Sequence, residues 1–464
     1  MTTFDITGHL TKKMIESREE VYYGVWFLPD SEIKLQGRLT VSENFIDLHL
    51  TDPQHYSFIK TDSLDIKKFP IIYGLGQHRE FITLYDCTGN SGDFSANLML
   101  YGDKHFADIE TLRFKIMSVN LPYFDKWMNP GSFKKEVSKD GFTIKYENPE
   151  KIDFELNKEI KLNIDFDCFI PDTRDKNKVV LHEYSYIQLI SNNQEGSLLA
   201  SFLKNLTYLQ QLVSFLFRDG ANIDVIRVYS TPEDYSKNRY MGIMVFGLHP
   251  FNKYAHTEYG LHPLINYATI KEQLELFVKS WFAFAKDGQH IINLILQDYF
   301  YKGVFDENRF LNLIRVLEIY HAFRFPGTKL PPQEFKEKLN AIIEAIPEQY
   351  KIEVKDYLSH FNDYSLDMRL RALVAEVKVD RIGMDYKLDD DFIKNVKWSR
   401  NYYTHYNPSN EKKALKREGL IKLTETCRAL INFLVLKQLG VSEEILTETF
   451  RYYFEHSYYS NYFL

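Results

Sequence analysis

The six residues from Arg400 to His405 bring together side chains that can act on a phosphodiester. The arginine can hold a phosphate through the planar fork of its guanidinium group. The histidine can take up or release a proton near neutral pH. Asn401 can orient the histidine or touch the substrate. RNA cleavage without a metal ion needs groups of this kind, so Arg400, Asn401 and His405 are the candidate catalytic residues.

The bare pattern of an arginine and a histidine five positions apart is weak, because the chain contains it twice. The second match, Arg451 to His456, lacks the asparagine and is a Tyr/Phe-rich packing segment. On an ideal helix Asn401 and His405 share one face, with Arg400 about 100° to the side, so all three can border one groove. The alternative is a helix end whose Arg and His make ordinary surface hydrogen bonds.

The segment around the motif is basic and aromatic in a chain of net charge −7. Between positions 394 and 417 there are seven basic residues and a single acidic one, Glu411. Such a local charge suits a polyanion, and interleaved aromatic rings can stack on unpaired bases. The candidate RNA-binding residues are Lys394, Lys397, Tyr402, Tyr406, Lys412 and Lys413. The alternative is a solvated basic helix face with its aromatic residues turned into the core.

Helical periodicity predicts how this motif is held. A helix is expected from Asp391 to His405, with Asp389 or Asp390 as its N-cap. Pro408 ends that pattern, and Asn407 can cap a further helix that begins at Pro408 and continues to Leu439. The motif therefore lies where one helix ends and the next begins, and we expect both helices to be buried while the His405 end stays reachable.

The fold class predicted for the whole chain is α+β. The first half is β-rich, since short segments of β-branched and aromatic residues alternate with turn signals. Periodic apolar residues from 196 to 218 predict one helix within it. From about residue 269 the pattern is helical throughout. We therefore expect a β-rich N-terminal domain at 1–265 and an all-α C-terminal domain at 266–464, which agrees with a length of 464 residues.

Composition indicates a soluble cytoplasmic protein. The three cysteines, Cys87, Cys168 and Cys427, are far apart and form neither a metal motif nor a disulfide framework. The N-terminus has no apolar region typical of a signal peptide, and no apolar run is long enough to span a membrane. Nucleotide-binding and hydrolase motifs such as a Walker loop, GxSxG or HExxH are not found. We expect no metal and no cofactor.

The motif on a helix of an all-α domain resembles the HEPN ribonuclease superfamily, whose signature is Arg, a polar residue such as Asn, three variable residues and His. Residues 311–321, which end in Leu-Glu-Ile-Tyr-His, resemble a helix of ApeA-type HEPN proteins. The N-terminal half is similar to the ApeA N-terminal domain. The matching features are Gly24-Val25-Trp26, Gly37-Arg38-Leu39, Ile71-Ile72-Tyr73-Gly74, the strand ending in Cys87, and Trp127.

This resemblance implies a bacterial anti-phage protein that acts by abortive infection as a metal-independent endoribonuclease. It also implies a homodimer or higher homo-oligomer with a composite active site, which agrees with the need of RNA transesterification for both a base and an acid. The resemblance makes tRNA or another structured RNA a plausible target, and a phage-derived signal the expected trigger. Glu318 and His321 share one helix face and are candidates to support the motif, with Glu318 orienting Arg400. The alternatives are a surface ion pair of Glu318 with Arg315 and a structural helix histidine at 321.

Two other functions compete with this interpretation. In the first, the HEPN fold binds RNA or a protein partner without cutting, although an intact Arg400, Asn401 and His405 set argues against a degenerate domain. In the second, the β-rich domain binds a ligand such as a carbohydrate, and the helices serve as a dimerisation platform. No membrane partner is expected. An active nuclease should slow the growth of its host on overexpression, and His405→Ala should relieve that effect.

Overall fold

The chain divides into two compact units, Met1–Ala268 and Thr269–Leu464, in a computed structural model. The structure describes residues 20–456 except 43–44, 52–65, 91, 122, 130, 170–178, 222, 224, 238–241, 248–261, 301–304 and 379–386. The first unit is β-rich and the second is helical, which confirms the predicted α+β class. The predicted boundary segment, 247–263, lies mostly outside the described residues.

The first unit is dominated by strands. They are β1 (Glu20–Phe27), β2 (Leu35–Val41), β3 (Ile46–Leu50), β4 (Lys67–Gly76), β5 (Phe81–Asn90), β6 (Asp93–Ser95), β7 (Leu98–Gly102), β8 (Arg113–Phe114), β9 (Ile116–Asn120), β10 (Phe133–Ser138), β11 (Gly141–Tyr146), β12 (Ile152–Glu155), β13 (Ile160–Phe169), β14 (His182–Ser191), β15 (Ser197–Leu198), β16 (Val225–Tyr229) and β17 (Ile243–Gly247). Its helices are α1 (Phe124–Met128), α2 (Leu199–Phe217) and α3 (Pro232–Lys237). Helix α4 (Tyr267–Ile270) spans the boundary between the units.

Most of these strands form a single 13-stranded sheet, in the order β12-β13-β14-β9-β16-β17-β7-β5-β4-β1-β2-β3-β6. Strand β5 pairs with β7 through its first half and with β6 through its last residues. Asp86, where β5 passes from one partner to the other, has a positive φ of 50°. Because β6 is also the last strand of the order, the strands β5-β4-β1-β2-β3-β6 close on themselves as a small barrel around an apolar core.

Trp26 fills the middle of this barrel and is fully buried. A Cβ atom added to Gly74 on β4 would lie 2.3 Å from the Trp26 ring, and one added to Gly37 on β2 would lie 2.9 Å from it. The indole therefore needs glycine on both neighbouring strands, because any side chain there would occupy the same space. This packing gives a physical reason for the glycine and tryptophan features that the sequence resemblance rests on.

The second unit is a bundle of helices. They are a 3₁₀ turn (Lys271–Gln273), α5 (Leu274–Asp287), α6 (Gln289–Phe300), α7 (Asp306–Arg324), α8 (Pro332–Glu344), a second 3₁₀ turn (Glu348–Tyr350), α9 (Lys351–Ser359), α10 (Leu366–Ala375), α11 (Asp390–His405), α12 (Pro408–Glu411), α13 (Glu418–Gln438) and α14 (Glu443–His456). Helix α7 is central, since it packs against α6, α10, α11 and α13. No helix in the described ranges is both long and apolar enough to cross a membrane.

One predicted helix is wrong. The sequence pattern suggested a continuous helix from Pro408 to Leu439, but α12 ends at Glu411 and α13 begins only at Glu418. Arg417, just before α13, has φ 49° and ψ −125°, which a helix interior cannot contain. The break has a tertiary cause, because the backbone of Leu415 between the two helices is hydrogen-bonded to side chains of α11.

Candidate functional site

Helix α11 carries the motif and is fixed at both ends. The carboxylate of Asp389 accepts hydrogen bonds from the backbone N–H groups of Asp391 and Phe392 at 3.0 Å, which makes Asp389 the N-cap. The helix ends at His405, and Tyr406 follows in the left-handed conformation. Its buried stripe is formed by Phe392, Ile393, Val396, Ser399 and Tyr403. This stripe anchors the helix in the bundle and leaves the motif residues on the remaining, more accessible surface.

Arg400 is half-buried, and no carboxylate of the described residues pairs with it. Its Nη1 donates a hydrogen bond of 3.3 Å to Oδ1 of the neighbouring Asn401. Residue type and spacing left open whether Asn401 orients His405 or holds a phosphate. In the structure Asn401 is instead hydrogen-bonded to Arg400. An arginine without an acidic partner keeps its fork available for an anion, because its charge is not already neutralised within the chain.

His405 is exposed at the end of α11. Over the described part of the chain its imidazole makes no hydrogen bond, ion pair or ring contact. It shares the helix face of Asn401 through the i,i+4 spacing, as the sequence predicted. A histidine placed in this way can reach a substrate, and no described residue hydrogen-bonds to its ring nitrogens.

The basic character around the motif is weaker than the sequence count suggests. Two lysines of the segment 394–417 pair with aspartates that lie outside it. Lys394 lies 3.0 Å from Asp391, and Lys397 lies 3.1 Å from Asp367. Both pairs are partly exposed to solvent, and pairs of this kind contribute less than about 1 kcal/mol to the free energy of unfolding. Lys394 and Lys397 are therefore weaker candidates for RNA binding than the sequence alone indicated.

The break between α12 and α13 leaves a basic loop, residues 412–417, that lies along α11. Lys413 lies over the ring of Trp398, with its Nζ 5.6 Å from the ring centroid. Lys416 lies over Tyr402 at 5.4 Å and also pairs with Glu411 at 2.8 Å. Lys412 and Lys413 have no carboxylate partner among the described residues. The predicted RNA-binding residues Lys412 and Lys413 are thus close to the motif helix.

Three tyrosines cluster at the C-terminal end of the motif helix. The Tyr402 ring lies 5.0 Å from Tyr403 and 5.5 Å from Tyr406, measured between ring centroids. Tyr406 is 63% exposed, whereas Tyr403 is buried. Burial raises the pKa of Tyr403 to about 12, with a further contribution from Glu307, so its hydroxyl stays protonated. Stacking of the exposed Tyr406 ring on RNA bases stays a prediction.

Glu318 and His321 on α7 do not join this arrangement. The structure describes no hydrogen bond or ion pair between Glu318 and Arg400, and the backbone carbonyl of Glu318 instead accepts from Arg369 Nη1 at 3.0 Å. His321 is buried against Phe325 and Tyr364, and burial lowers its pKa, with a smaller effect of the Arg369 charge. His321 is thus a neutral core histidine, and the orienting role expected for Glu318 has no contact to support it.

Ser399, which the sequence pattern did not point to, and Tyr403, which the pattern suggested only as one of the aromatic rings able to stack on bases, hold the site together. The N–H of Leu415 donates a hydrogen bond to Ser399 Oγ at 3.0 Å, and the hydroxyl of Tyr403 donates to the carbonyl of Leu415 at 2.8 Å. Their i,i+4 spacing was readable in the sequence and places them on one helix face. Nothing in the sequence showed that this face would meet the backbone of a loop.

Comparisons with known protein families give two matches. The family model described as ApeA N-terminal domain 1 matches residues 21–281, which is more than half of the chain. The model described as Apea-like HEPN matches residues 311–445, a range that contains α11 and the basic loop. No curated protein and no solved structure matches the chain significantly.

Proposed function

Since this chain belongs to the ApeA family, with an Apea-like HEPN domain of a kind generally associated with ribonucleases, we propose that it is a metal-independent endoribonuclease of anti-phage defence. Arg400, Asn401 and His405 are its catalytic residues, and its action is abortive infection. RNA is its substrate, and tRNA or another structured RNA is the kind of target that the family resemblance favours. The β-rich unit would sense a phage-derived signal or restrain the nuclease.

The observation that carries this proposal is the surroundings of Arg400 and His405 in the structure. Arg400 has no carboxylate partner among the described residues, and His405 is exposed without a polar contact. An arginine that served only to stabilise the fold would be expected to pair with a carboxylate, which neutralises its charge. Both side chains are instead left available for a phosphate and a ribose hydroxyl.

The mechanism follows from these two groups. A neutral His405 takes the proton from a ribose 2′-OH, and the oxygen attacks the adjacent phosphorus. Arg400 stabilises the negative charge that develops on the phosphorane oxygens. The bond to the 5′-oxygen breaks, and that oxygen takes a proton from an acid. The products are a 2′,3′-cyclic phosphate and a 5′-OH, and no step uses a metal ion.

The acid of the last step has to come from elsewhere, because one chain offers a single histidine in this motif. A second copy of the chain would supply it if two motif helices faced each other across a homodimer. This arrangement agrees with the absence of a carboxylate partner for Arg400, and of any polar partner for His405, among the described residues. The non-catalytic alternative is a HEPN fold that binds RNA or a protein, and it requires neither a second histidine nor a cleaved product.

Digestion of total bacterial RNA by the purified protein in excess EDTA tests the proposal. The unchanged protein should cut and leave cyclic-phosphate ends, whereas Arg400→Ala and His405→Ala should not cut. His456→Ala is the matched control, since it removes the histidine of the second Arg-x4-His match and should leave cleavage intact. A requirement for a divalent metal, or 5′-phosphate products, would show the mechanism to be wrong. If no RNA is cut even with lysate from infected cells, the binding alternative is favoured.

A further inference from the structure

We propose that Ser399 and Tyr403 are positioning residues that lock the basic loop (residues 412–417) against the motif helix, so that the loop binds the phosphates of an RNA strand beside Arg400 and His405. The inference rests on the proposed function and adds to it a binding element with its own supporting contacts. Neither Ser399 nor Tyr403 would touch the RNA, and both would act through the backbone of Leu415.

The two side chains hold both polar groups of a single loop residue. The N–H of Leu415 donates to Ser399 Oγ at 3.0 Å, and the Leu415 carbonyl accepts from the Tyr403 hydroxyl at 2.8 Å. Because Ser399 and Tyr403 are one helical turn apart, they fix the direction of the loop as well as its distance from the helix. A single hydrogen bond would leave the loop able to rotate about that contact.

Burial makes these hydrogen bonds effective. Ser399 is 0% exposed and Tyr403 is 7% exposed, so water competes poorly for either group. The raised pKa of Tyr403, which burial causes, keeps the hydroxyl a donor throughout the neutral range. Losing one partner would leave a partly buried polar group of Leu415 without its hydrogen bond, which costs free energy beyond the loss of the bond itself. The loop therefore has a defined place before any ligand arrives.

Two further contacts, made by the lysines that flank Leu415 in the chain, show which groups the loop positions. Lys413 and Lys416 lie over Trp398 and Tyr402, two aromatic rings separated by one turn of α11. The lysine ammonium groups are thus arranged along the same helix that carries Arg400 and His405. Lys412 and Lys413 have no acidic partner among the described residues, which leaves their charge available for phosphates. Basic groups beside aromatic rings are typical of surfaces that bind unpaired nucleic acid strands.

Binding of a single-stranded 2′-O-methyl RNA oligonucleotide, measured over a range of salt concentrations, tests the inference. This RNA cannot be cut by 2′-OH attack, so the measurement does not depend on catalysis. Tyr403→Phe should weaken binding about fivefold, by loss of one hydrogen bond, and reduce the salt slope by about 1, because the lysines lose their place on the phosphates. For cleavable RNA, KM should rise while kcat stays close to its original value.

Tyr299→Phe is the matched control, since the buried Tyr299 hydroxyl donates to Asn432 Oδ1 at 2.8 Å in the same helical unit. It should lower the thermal stability and leave RNA binding unchanged. A double-mutant cycle with Lys412→Ala/Lys413→Ala separates positioning from folding. If Tyr403 acts through the loop, its effect on RNA binding should largely vanish once both lysines are removed.

The inference is overturned if the effects of Tyr403→Phe and of the two lysine substitutions on RNA binding are additive. It is also overturned if Tyr403→Phe and Tyr299→Phe bind RNA equally well, or if the unchanged protein binds no RNA. A protein that binds the oligonucleotide in the expected way but cuts no RNA would contradict the proposed function alone. A protein that cuts RNA equally well with and without the Tyr403 hydroxyl would contradict the positioning role alone.

Discussion

The guanidinium of Arg400 donates a hydrogen bond to the side-chain oxygen of Asn401, its neighbour in the chain, at 3.3 Å. The asparagine therefore orients the arginine, and not the histidine four residues later. The bond is long, and it uses only one of the five donors of the guanidinium. This contact restrains the orientation of the Arg400 side chain, while most of its N–H donors stay available for a phosphate.

Replacing the asparagine should consequently cost less than replacing the arginine. We expect Asn401→Ala to lower the rate of RNA cleavage roughly tenfold, which is the effect of about one hydrogen bond to a charged group. Arg400→Ala should lower it by about 10²-fold or more, because it removes charge stabilisation in the transition state. Single-turnover cleavage rates at saturating protein measure both. Equal losses for the two variants would mean that Asn401 contacts the substrate itself.

A buried ion cluster should determine much of the stability of the helical unit. Asp298 on α6 is 1% exposed and lies 2.7 Å from Arg428 on α13 and 3.2 Å from Arg309 on α7. Asp298→Ala leaves two arginines facing each other without their shared carboxylate, so we expect a loss of about 3–5 kcal/mol in the free energy of unfolding. Urea denaturation followed by circular dichroism measures this loss.

The exposed pair of Glu275 and Lys279 is the control for that experiment. Its atoms are 2.6 Å apart on the surface of α5. Glu275→Ala should cost no more than about 0.5 kcal/mol, since exposed i,i+4 pairs contribute little. A similar loss for both variants would contradict the special role of the buried cluster.

The β-rich unit should be less stable at neutral than at acidic pH because of Asp125. Shielding from water raises the pKa of this carboxyl to about 6, against the lowering effect of hydrogen bonds from Ser185. The folded state then holds a proton that the unfolded state releases near pH 4, so stability falls as the pH rises from about 4 to 6. Asp125→Asn removes this cost, which amounts to roughly 1–3 kcal/mol.

The measurement is the difference in Tm between the Asp125→Asn variant and the unchanged protein at pH 4 and at pH 7. The Tm of the variant, relative to that of the unchanged protein, should be higher at pH 7 than at pH 4. A difference that does not depend on pH would show that Asp125 titrates at its ordinary pKa in the folded protein.

The barrel should not tolerate a side chain at Gly74. A Cβ atom there would lie 2.3 Å from the buried ring of Trp26, so Gly74→Ala should destabilise the β-rich unit by about 1–3 kcal/mol. Gly102→Ala is the comparison, because the atom nearest to its added Cβ is Cγ1 of Ile243, at 3.0 Å instead of 2.3 Å. Thermal unfolding of both variants measures the difference, and the Gly102 variant should lose less.

Much of the secondary structure could be read from the sequence. Helix α11 begins one residue before its predicted start and ends where predicted, and the helix predicted at 196–218 is α2. Alternation in the strands and apolar periodicity in the helices are local signals, and they persist in the fold. Strand β4 has a weaker sequence signal, since Lys67 to Gly76 contains a proline and two glycines, which are typical of turns and weak strands.

The closure of the barrel, which pairs strands far apart in the chain, was not predictable in the same way. The barrel depends on β5 pairing with β7 at one end and with β6 at the other, and this exchange of partners occurs at Asp86, a residue with no special sequence signal. The order of the 13 strands likewise depends on contacts between segments far apart in the chain. Sequence periodicity specifies which residues face a core, but not which strand lies beside which.

At the candidate site, the sequence by itself determined the residues that could do chemistry and the helix that carries them. Arg400, Asn401 and His405 follow from residue type and spacing, and the helix from its period and the Asp389 cap. Only the tertiary structure decided which charges are available. Asp367 and Glu411 neutralise Lys397 and Lys416, whereas Arg400 has no acidic partner among the described residues. It also decided that Ser399 and Tyr403 hold Leu415 and interrupt the predicted helix, because hydrogen bonds between segments outweigh local helix propensity.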